Sequence, residues 1–296
     1  MIGPALLFCP ADRSDRYHKA AAAADSVIFD LEDAVAPDDK ASAREQLVAF
    51  ATGVTVGGSG AQSTRADDSG AGGAGSVLDP ARVIVRVNPV GTPDHTLDLA
   101  AIARTPYRTL MLAKAEGSSQ LDAFGDAGFR VLALCETALG VSHAAEIAAH
   151  PAVFALMWGA EDLAASMGGR SSRHAPAAGA KTGVYRDFAR YSRARVLIEA
   201  KASGKQAVDS VFVNIADLDG LRAEVADAHA SGFDATACIH PSQAAVIREG
   251  YAASAEDRAW AERVLAEAKV QPGVFRFEGK MIDEPVLRQA RAMLQG

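Results

Sequence analysis

Residues 27–33, VIFDLED, decide the predicted fold. The first three residues are apolar with no polar alternation, and three of the last four are acidic (Asp30, Glu32 and Asp33). A short apolar run without alternation is typical of a parallel strand that helices cover. Charged residues directly after such a strand are typical of the carboxyl end of a strand in an α/β enzyme.

The same pattern recurs along the chain, with apolar runs separated by longer helical stretches. Strands are predicted at residues 5–10, 26–30, 82–87, 110–114, 130–135, 153–159, 209–215 and 234–239. Helices are predicted at residues 12–24, 40–50, 118–124, 143–149, 185–203, 218–231 and 241–250. Eight strand units in succession favour a closed barrel over an open sheet, and no GxGxxG motif follows an early strand. The predicted fold class is α/β, a (β/α)₈ TIM-type barrel.

The chain divides into two predicted regions. Residues 1–250 form the catalytic barrel, and residues 251–296 form a C-terminal helical extension or lid, with helices at 256–269 and 285–294. A Gly/Ser-rich segment at 53–76 holds little apolar material and interrupts the barrel. Because it cannot bury enough apolar area to offset the entropy of ordering, it is predicted to be a flexible insertion.

Composition excludes several classes of protein. The 296 residues carry a net charge of −7, so a nucleic-acid partner, which needs a basic surface, is not expected. The three cysteines, Cys9, Cys135 and Cys238, lie in apolar runs without metal-ligand spacing and are predicted to be buried thiols. The sequence shows no signal peptide, and no apolar run approaches the roughly 18 residues of a membrane helix. A cytoplasmic protein with no membrane partner is predicted.

Polar side chains follow most of the predicted strands. They are Asp30, Glu32, Asp33, Arg86, Asn88, Lys114, Glu136, Glu161, Asp162, Asn214 and His240. In a barrel the carboxyl ends of the strands converge on one face, where such enzymes place their chemistry. The sequence therefore predicts an active site at this face.

Glu136 and Asp162 end the predicted fifth and sixth strands, so they are expected to be neighbours. Two carboxylates with open coordination positions suit Mg²⁺, or Mn²⁺ in its place. The alternative is that each carboxylate caps the helix that follows it. Glu161 is interpreted as a capping or supporting residue, because adjacent strand residues point in opposite directions.

Arg86 closes the third predicted strand and faces this acidic region. Its planar fork suits a carboxylate or a developing enolate oxygen, although an ion pair with Asp30, Glu32 or Asp33 is the structural alternative. The DLED run is interpreted as a support for metal waters and Arg86, with Lys40 and Lys114 offsetting its charge.

Two further groups each have two interpretations. His240 is either a ligand or base, or a residue that bonds to the backbone at the barrel rim. Arg13, Arg16 and Lys19 form either a phosphate contact or a solvated helix face. No GxSxG motif is present, which argues against a serine nucleophile of that type.

Several blocks together resemble the citrate lyase β-subunit-like family of the HpcH/HpaI aldolase superfamily, whose relatives include malyl-CoA and citramalyl-CoA lyases. The blocks are LLFCPADRSDRYHKA, VIFDLEDAVAPDDKASAR, VIVRVNPVGT, LMLAKAE, LCETALGV, WGAEDLAASMGG, CIHPSQ and FEGKMIDEPVLRQA. They cover nearly the whole chain except residues 53–76. The tail and the insertion depart from the β subunit of the citrate lyase complex.

The resemblance implies roles for individual residues. It makes Arg86 the catalytic and substrate-binding arginine, and it makes Glu136 and Asp162 the Mg²⁺ ligands, with Glu136 also a substrate-binding residue. It makes Asp283, in the GKMID block, the catalytic acid/base, offered across the subunit boundary of a homotrimer. Chain order leaves open that Asp283 only starts the helix that follows it. Arg13 resembles a contact to coenzyme A.

The implied activity is a Mg²⁺-dependent carbon–carbon lyase acting on 3-hydroxyacyl-CoA thioesters of the malyl-, citramalyl- or HMG-CoA type. The products of cleavage are an acyl-CoA and a 2-oxo acid or related carbonyl compound, and the reaction runs as cleavage or as the reverse condensation. Three alternatives remain: a CoA-independent, metal-dependent 2-oxo acid aldolase, a citrate lyase β subunit, and a non-catalytic acyl-CoA-binding subunit.

Overall fold

The computed structural model describes residues 2–53, 78–252 and 254–295. Apart from Gly53, the insertion predicted at 53–76 lies outside the described residues. The chain forms two compact units, Met1–Ile247 and Arg248–Gly296.

The first unit is a closed barrel of parallel strands in sequential order. The strands are β1 (Ala5–Pro10), β2 (Ser26–Asp30), β3 (Val83–Val87), β4 (Thr109–Leu112), β5 (Arg130–Cys135), β6 (Val153–Trp158), β7 (Gln206–Asp209) and β8 (Ala235–Cys238). The barrel closes where β1 pairs with β8, with Ala5 opposite Thr236. The predicted (β/α)₈ barrel is confirmed.

Helices follow the strands along the chain. They are α1 (Tyr17–Ala23), α2 (Lys40–Thr52), α3 (Pro93–Ile102), α4 (Asp122–Asp126), α5 (Ala138–Ser142), α6 (Ala144–Ala149), α7 (Ala160–Ser166), α8 (Asp187–Ala202), α9 (Leu218–Ser231), α10 (Pro241–Tyr251), α11 (Ala255–Val270) and α12 (Glu284–Gln295). Short 3₁₀ turns occupy Ser14–Arg16, Pro37–Asp39, Pro80–Arg82 and Ser118–Gln120. None of the helices in the described ranges has the length and apolarity needed to cross a membrane.

The seventh strand differs from its predicted position. It spans Gln206–Asp209, and the apolar residues that follow it belong to a loop, so the prediction at 209–215 was wrong. Phe212 is buried although it lies in this loop, which is why the stretch resembled a strand. Asn214 therefore lies well beyond the end of the strand and not at it.

Helix α3 was not predicted, although its start carries two local signals. The Thr92 hydroxyl accepts a hydrogen bond from the backbone N–H of His95, and Pro93 occupies the first helical turn. The buried face of the helix contains His95 and Asp98 beside Ala101. Because two polar residues interrupt its apolar face, the helical periodicity is hard to see in the sequence.

Alternate strand residues build the barrel interior in layers. An apolar layer includes Ile28, Ile84, Leu134 and Met157. The next residues on this inner face, two positions further along each strand, lie at the carboxyl ends. They are Asp30, Arg86, Glu136 and Gly159. The polar residues therefore stand directly above the apolar filling.

The second unit has a core of its own. Helices α11 and α12 pack with a two-stranded antiparallel sheet, β9 (Phe275–Phe277) and β10 (Lys280–Ile282). The extension, predicted as helical, thus also contains a hairpin. Its turn has positive φ at Glu278 and Gly279 (47° and 82°), as in the tight turns that join antiparallel strands.

Candidate active site

A cavity of about 420 Å³ opens at the carboxyl ends of the barrel strands. Phe8, Leu134, Met157 and Val211 contribute to its apolar lining. Its charged lining residues are Asp30, Asp33, Arg86, Glu136, Glu161 and Asp162. Three residues predicted for one site, Arg86, Glu136 and Asp162, thus line one cavity, and carboxylates outnumber cations in it.

Arg86 is held by two buried carboxylates. Asp30 lies opposite it in the strand register, with Nε 2.7 Å from Asp30 Oδ1 and Nη2 2.5 Å from Oδ2. Nη1 lies 3.0 Å from Glu32 Oε2, and the guanidinium carbon lies 5.0 Å from the centre of the Phe8 ring. Burial alone would lower the pKa of Arg86, but the charges of Asp30 and Glu32 outweigh it and raise the pKa. Arg86 is therefore a cation held in place by these carboxylates, and it has further N–H groups that these contacts do not use.

Lys114 connects the acidic run to the cavity. Its ammonium bonds to Glu32 Oε1 and lies 3.1 Å from Asp33 Oδ2. Burial raises the pKa of Glu32, while the charges of Arg86 and Lys114 oppose that rise. The DLED run thus pairs with Arg86 and Lys114, as predicted. Lys40, which was also expected to offset the charge of this run, bonds to backbone and amide oxygens instead of carboxylates.

Glu136 is buried at the end of β5, with an exposed fraction of 2%. Its Oε1 accepts a hydrogen bond from the backbone N–H of Lys114 at 3.1 Å. A Cβ atom on Gly159 would lie 2.7 Å from Glu136 Oε2, so glycine leaves the space for this carboxylate. Burial, with the charges of Asp162 and Glu32, raises the pKa of Glu136 to about 8, although Arg86 opposes the rise.

Asp162 lies in the first turn of α7 and not at the strand end where it was predicted. Its side chain is 41% exposed, and Oδ1 lies 4.0 Å from Lys114 Nζ. The neighbouring Glu161 instead accepts a hydrogen bond from the Ser172 hydroxyl at 2.5 Å, a supporting contact. In the described ranges, no three His, Cys, Asp or Glu side chains are arranged to hold a metal, so a metal here would rest on two carboxylates.

Arg13 does not line the cavity, and its Nη2 pairs with Asp15 Oδ2 at 3.0 Å. Arg16, Lys19 and His240 line an adjoining cleft of about 360 Å³ that shares Phe8 and Pro10 with the cavity. His240 Nδ1 lies 2.8 Å from the hydroxyl of Ser242, a rim contact.

Asp283 belongs to the second unit, where it is half-buried before α12. Its Oδ1 accepts from the backbone N–H of Val286 at 3.4 Å, and its carbonyl accepts from Leu287 at 3.0 Å. Within its own unit Asp283 therefore caps the start of a helix.

The model of the HpcH/HpaI aldolase/citrate lyase family matches residues 5–241, the barrel and nearly all of its site residues. The chain belongs to this family. The predicted resemblance is confirmed, and the family is named for two carbon–carbon lyases.

Several known proteins are similar to the chain over nearly its whole length. The citrate lyase subunit beta-like protein of Mycobacterium tuberculosis is 46% identical over 99% of this chain and 95% of its own length. A (3S)-malyl-CoA thioesterase of Cereibacter sphaeroides is 32% identical over 98% of this chain and 92% of its own. The crystal structure of CitE from M. tuberculosis with magnesium, acetoacetate and coenzyme A superimposes with a TM-score of 0.85, at 47% identity, covering 99% of this chain and 97% of that one.

Two residues of the site's surroundings were not predicted. Gly159 follows β6 in the same block as Asp162, but the contact that requires glycine is made with the neighbouring strand. Asp98 is wholly buried in α3 and bonds to Asn88 beyond β3. The only sequence signal for Asp98 is an acid between apolar residues in a helix.

Proposed function

We propose that this family member is a Mg²⁺-dependent carbon–carbon lyase that cleaves 3-hydroxyacyl-CoA thioesters to an acyl-CoA and a 2-oxo acid or related carbonyl product, or catalyses the reverse condensation. The observation that carries the proposal is the shared cavity of Arg86, Glu136 and Asp162. A fixed guanidinium beside two carboxylates suits an anionic oxo acid that a divalent cation also contacts.

Glu136 and Asp162 are the residues that would hold Mg²⁺. Their hard oxygen donors fit that ion, and two carboxylates leave the positions that waters and substrate oxygens fill. Burial, and to a smaller extent repulsion from Asp162 and Glu32, raises the pKa of Glu136; a bound cation would favour the ionised carboxylate and so oppose both effects, which supports the fit. When bound, Mg²⁺ supplies Lewis-acid polarisation of the substrate's oxygen.

Arg86 would stabilise the negative charge that develops on the 3-hydroxyl oxygen of the substrate as this oxygen loses its proton and becomes the carbonyl oxygen of the oxo acid. Asp30 occupies its Nε and one Nη2 hydrogen, and Glu32 lies at Nη1. Five N–H donors exceed these three contacts, so donors remain for the substrate carboxylate or carbonyl oxygen. The apolar lining beneath, with Phe8 and Met157, excludes water from the reacting carbons.

Asp283 is proposed as the acid/base, supplied by a second copy within a homotrimer. In cleavage its carboxylate takes the proton of the 3-hydroxyl group. The O–H electron pair then forms the carbonyl, the C2–C3 bond breaks, and that pair passes to the thioester as an enolate. The protonated Asp283 then gives a proton to the enolate carbon, which completes the acyl-CoA and returns Asp283 to its carboxylate form.

The cleft of Arg16, Lys19 and His240 is proposed for the phosphates of coenzyme A. It adjoins the reaction cavity and carries basic side chains in a chain of net charge −7. Arg13 precedes it in the same loop and would contribute from its edge, after exchanging Asp15 for phosphate.

The decisive assay incubates the protein and Mg²⁺ with malyl-, citramalyl- and HMG-CoA and measures the released oxo acid and acyl-CoA. The corresponding free acids are the matched substrates without coenzyme A. Turnover of a thioester but not its free acid supports the proposal, and equal turnover indicates the CoA-independent aldolase. No turnover of any thioester contradicts it.

Metal binding is measured separately by calorimetry with Asp162→Ala. Because Asp162 is partly exposed and in the first turn of a helix, the fold should persist by circular dichroism while Mg²⁺ affinity is lost. Unchanged Mg²⁺ affinity in Asp162→Ala contradicts the ligand assignment.

A further inference from the structure

A buried chain of hydrogen bonds runs from α3 to the carboxyl ends of β2 and β3. It begins at Asp98, whose exposed fraction is 0%. Asp98 Oδ1 accepts from Arg44 Nε at 2.7 Å, and Oδ2 accepts from the backbone N–H and Nδ2 of Asn88 at 2.9 and 2.7 Å. Neither Asp98 nor Asn88 lines the cavity.

Asp98 settles the orientation of the Asn88 amide. An ionised carboxylate only accepts hydrogen bonds, so the NH₂ end of Asn88 must face it. The same NH₂ group donates to the Leu31 carbonyl at 2.9 Å, which leaves Oδ1 to accept from Lys40 Nζ at 2.6 Å. Asn88 is thereby fixed two residues beyond Arg86.

Lys40 extends the chain to the backbone of the acidic run. Its ammonium donates to Asn88 Oδ1 and to the carbonyls of Leu31 and Glu32, the last two at 3.0 Å each. Three acceptors match the three protons of the ammonium group. These bonds hold the carbonyls of residues 31 and 32, while the Glu32 carboxylate contacts Arg86 and Lys114 at the cavity.

We propose that Asp98 is a positioning residue of the active site: through Asn88 and Lys40 it fixes the backbone at Glu32, and hence the carboxylate that holds Arg86 and Lys114. This inference rests on the proposed function. A buried carboxylate is costly to desolvate, and an apolar residue would suit a helix face in the core better. Asp98 instead bonds to Arg44 of α2 and to Asn88, just after β3, and so connects these two segments, as a positioning residue would. Displacing a substrate-binding group by about 1 Å can slow a reaction about 100-fold.

The test compares Asp98→Asn with Asp94→Asn in the full chain with Mg²⁺. Asp94 lies on the same helix and pairs with Arg44 at 2.5 Å, but among the described contacts it makes no hydrogen bond to Asn88, so it is the matched control. We expect kcat for thioester cleavage to fall at least about tenfold in Asp98→Asn and to stay within about twofold in Asp94→Asn. KM should change less than kcat, since the transition state depends most on the placement of Arg86.

A double-mutant cycle separates positioning from general stability. If Asp98 acts through Asn88, then Asp98→Asn and Asn88→Ala reduce kcat non-additively, because they break one chain of contacts. Additive losses, or wild-type kcat in folded Asp98→Asn, overturn the inference. If Asp98→Asn does not fold, the test uses Lys40→Met, a substitution at a half-exposed residue. A reduced kcat in this variant supports the inference, and a wild-type kcat overturns it.

Hydrogen exchange gives a reading that needs no substrate. The Leu31 N–H donates to the Arg86 carbonyl at 3.0 Å, and the Glu32 N–H donates to Asp30 Oδ1 at 2.9 Å. These amides should lose protection in Asp98→Asn and keep it in Asp94→Asn, and retained protection in both contradicts the inference. If the wild type cleaves no thioester, the proposed function fails, and the exchange result still decides this inference.

Discussion

Gly159 and Glu136 lie so close together that a Cβ atom on the glycine would be 2.7 Å from Glu136 Oε2 and 2.8 Å from Glu136 Cβ. The two residues stand at the exits of neighbouring strands, β6 and β5. Gly159 has φ −123° and ψ 117°, a conformation that any residue can adopt, so its requirement is one of space and not of backbone freedom.

Gly159→Ala is therefore expected to displace the Glu136 carboxylate while the barrel still folds. We predict that Mg²⁺ affinity falls and that kcat/KM drops on the order of 100-fold, since a shift of about 1 Å has that effect. The matched control is Gly125→Ala, where the new Cβ would make an ordinary contact of 3.6 Å with Ala152. Calorimetry and turnover indistinguishable from the wild type in Gly159→Ala would refute the steric argument.

Arg86→Lys tests whether the planar fork is required. A lysine cannot bond to Asp30 through two nitrogens and also reach Glu32 and a substrate. We expect turnover to fall roughly 100- to 1000-fold, as when a donor to a developing oxyanion is lost. The free energy of unfolding should fall by roughly 1.5–3 kcal/mol, the contribution of a hydrogen bond to a charged group. Arg104→Lys, at an exposed pair with Glu45, should change neither quantity. Full turnover in Arg86→Lys would mean that charge alone suffices.

The pKa of Glu136 predicts how magnesium affinity depends on pH. The folded value of about 8 lies above the ordinary 4.5, so the folded protein holds a proton that the unfolded chain has released between these values. Without metal, this group therefore contributes less stability as pH rises from about 4.5 to 8. Because Mg²⁺ requires the carboxylate, its affinity should rise up to about tenfold per pH unit from pH 6 towards 8. Calorimetry across this range, with melting temperatures measured without metal, checks both trends, and a constant affinity contradicts the prediction.

Subunit mixing tests the proposed position of Asp283 in a neighbouring copy. Arg86→Ala and Asp283→Ala are each expected to be inactive. If Asp283 acts between copies, exchanging subunits creates sites with both intact residues, and activity returns. Exchange is verified with differently tagged chains. Activity that stays at zero after exchange would show that Asp283 does not act in this way.

Much of the catalytic face could be predicted, because the change from apolar to polar residues in each strand's own sequence indicates where the strand ends. Asp30, Arg86 and Glu136 follow uninterrupted apolar runs, and their strands place them on the inner face above Ile28, Ile84 and Leu134. Local periodicity was enough for these residues. It was misleading for β7, whose four residues begin with Gln206, while the buried Phe212 lies in the loop that follows.

Contacts between distant parts of the chain could not be predicted in the same way. Asp98 meets Arg44, which lies 54 residues earlier, and nothing near either residue in sequence indicates the pair. The need for glycine at 159 likewise arises from Glu136 on another strand. Periodicity indicates which face of an element is buried, but the partner it meets depends on the closed barrel.

Closure of the barrel by β1 and β8 also shapes how the protein must fold. Ala5 pairs with Thr236, whose N–H donates to the Pro4 carbonyl at 2.8 Å, so the seam joins the two ends of the barrel sequence. During synthesis, β1 cannot pair with β8 until almost the entire barrel domain has left the ribosome. Contacts of such long sequence separation are formed slowly, and a nascent or truncated chain without β8 exposes two unpaired strand edges that invite aggregation. The carboxylates of the cavity, from Asp30 to Asp162, all precede β8 in the chain, and they thus come together only after this later strand has been made.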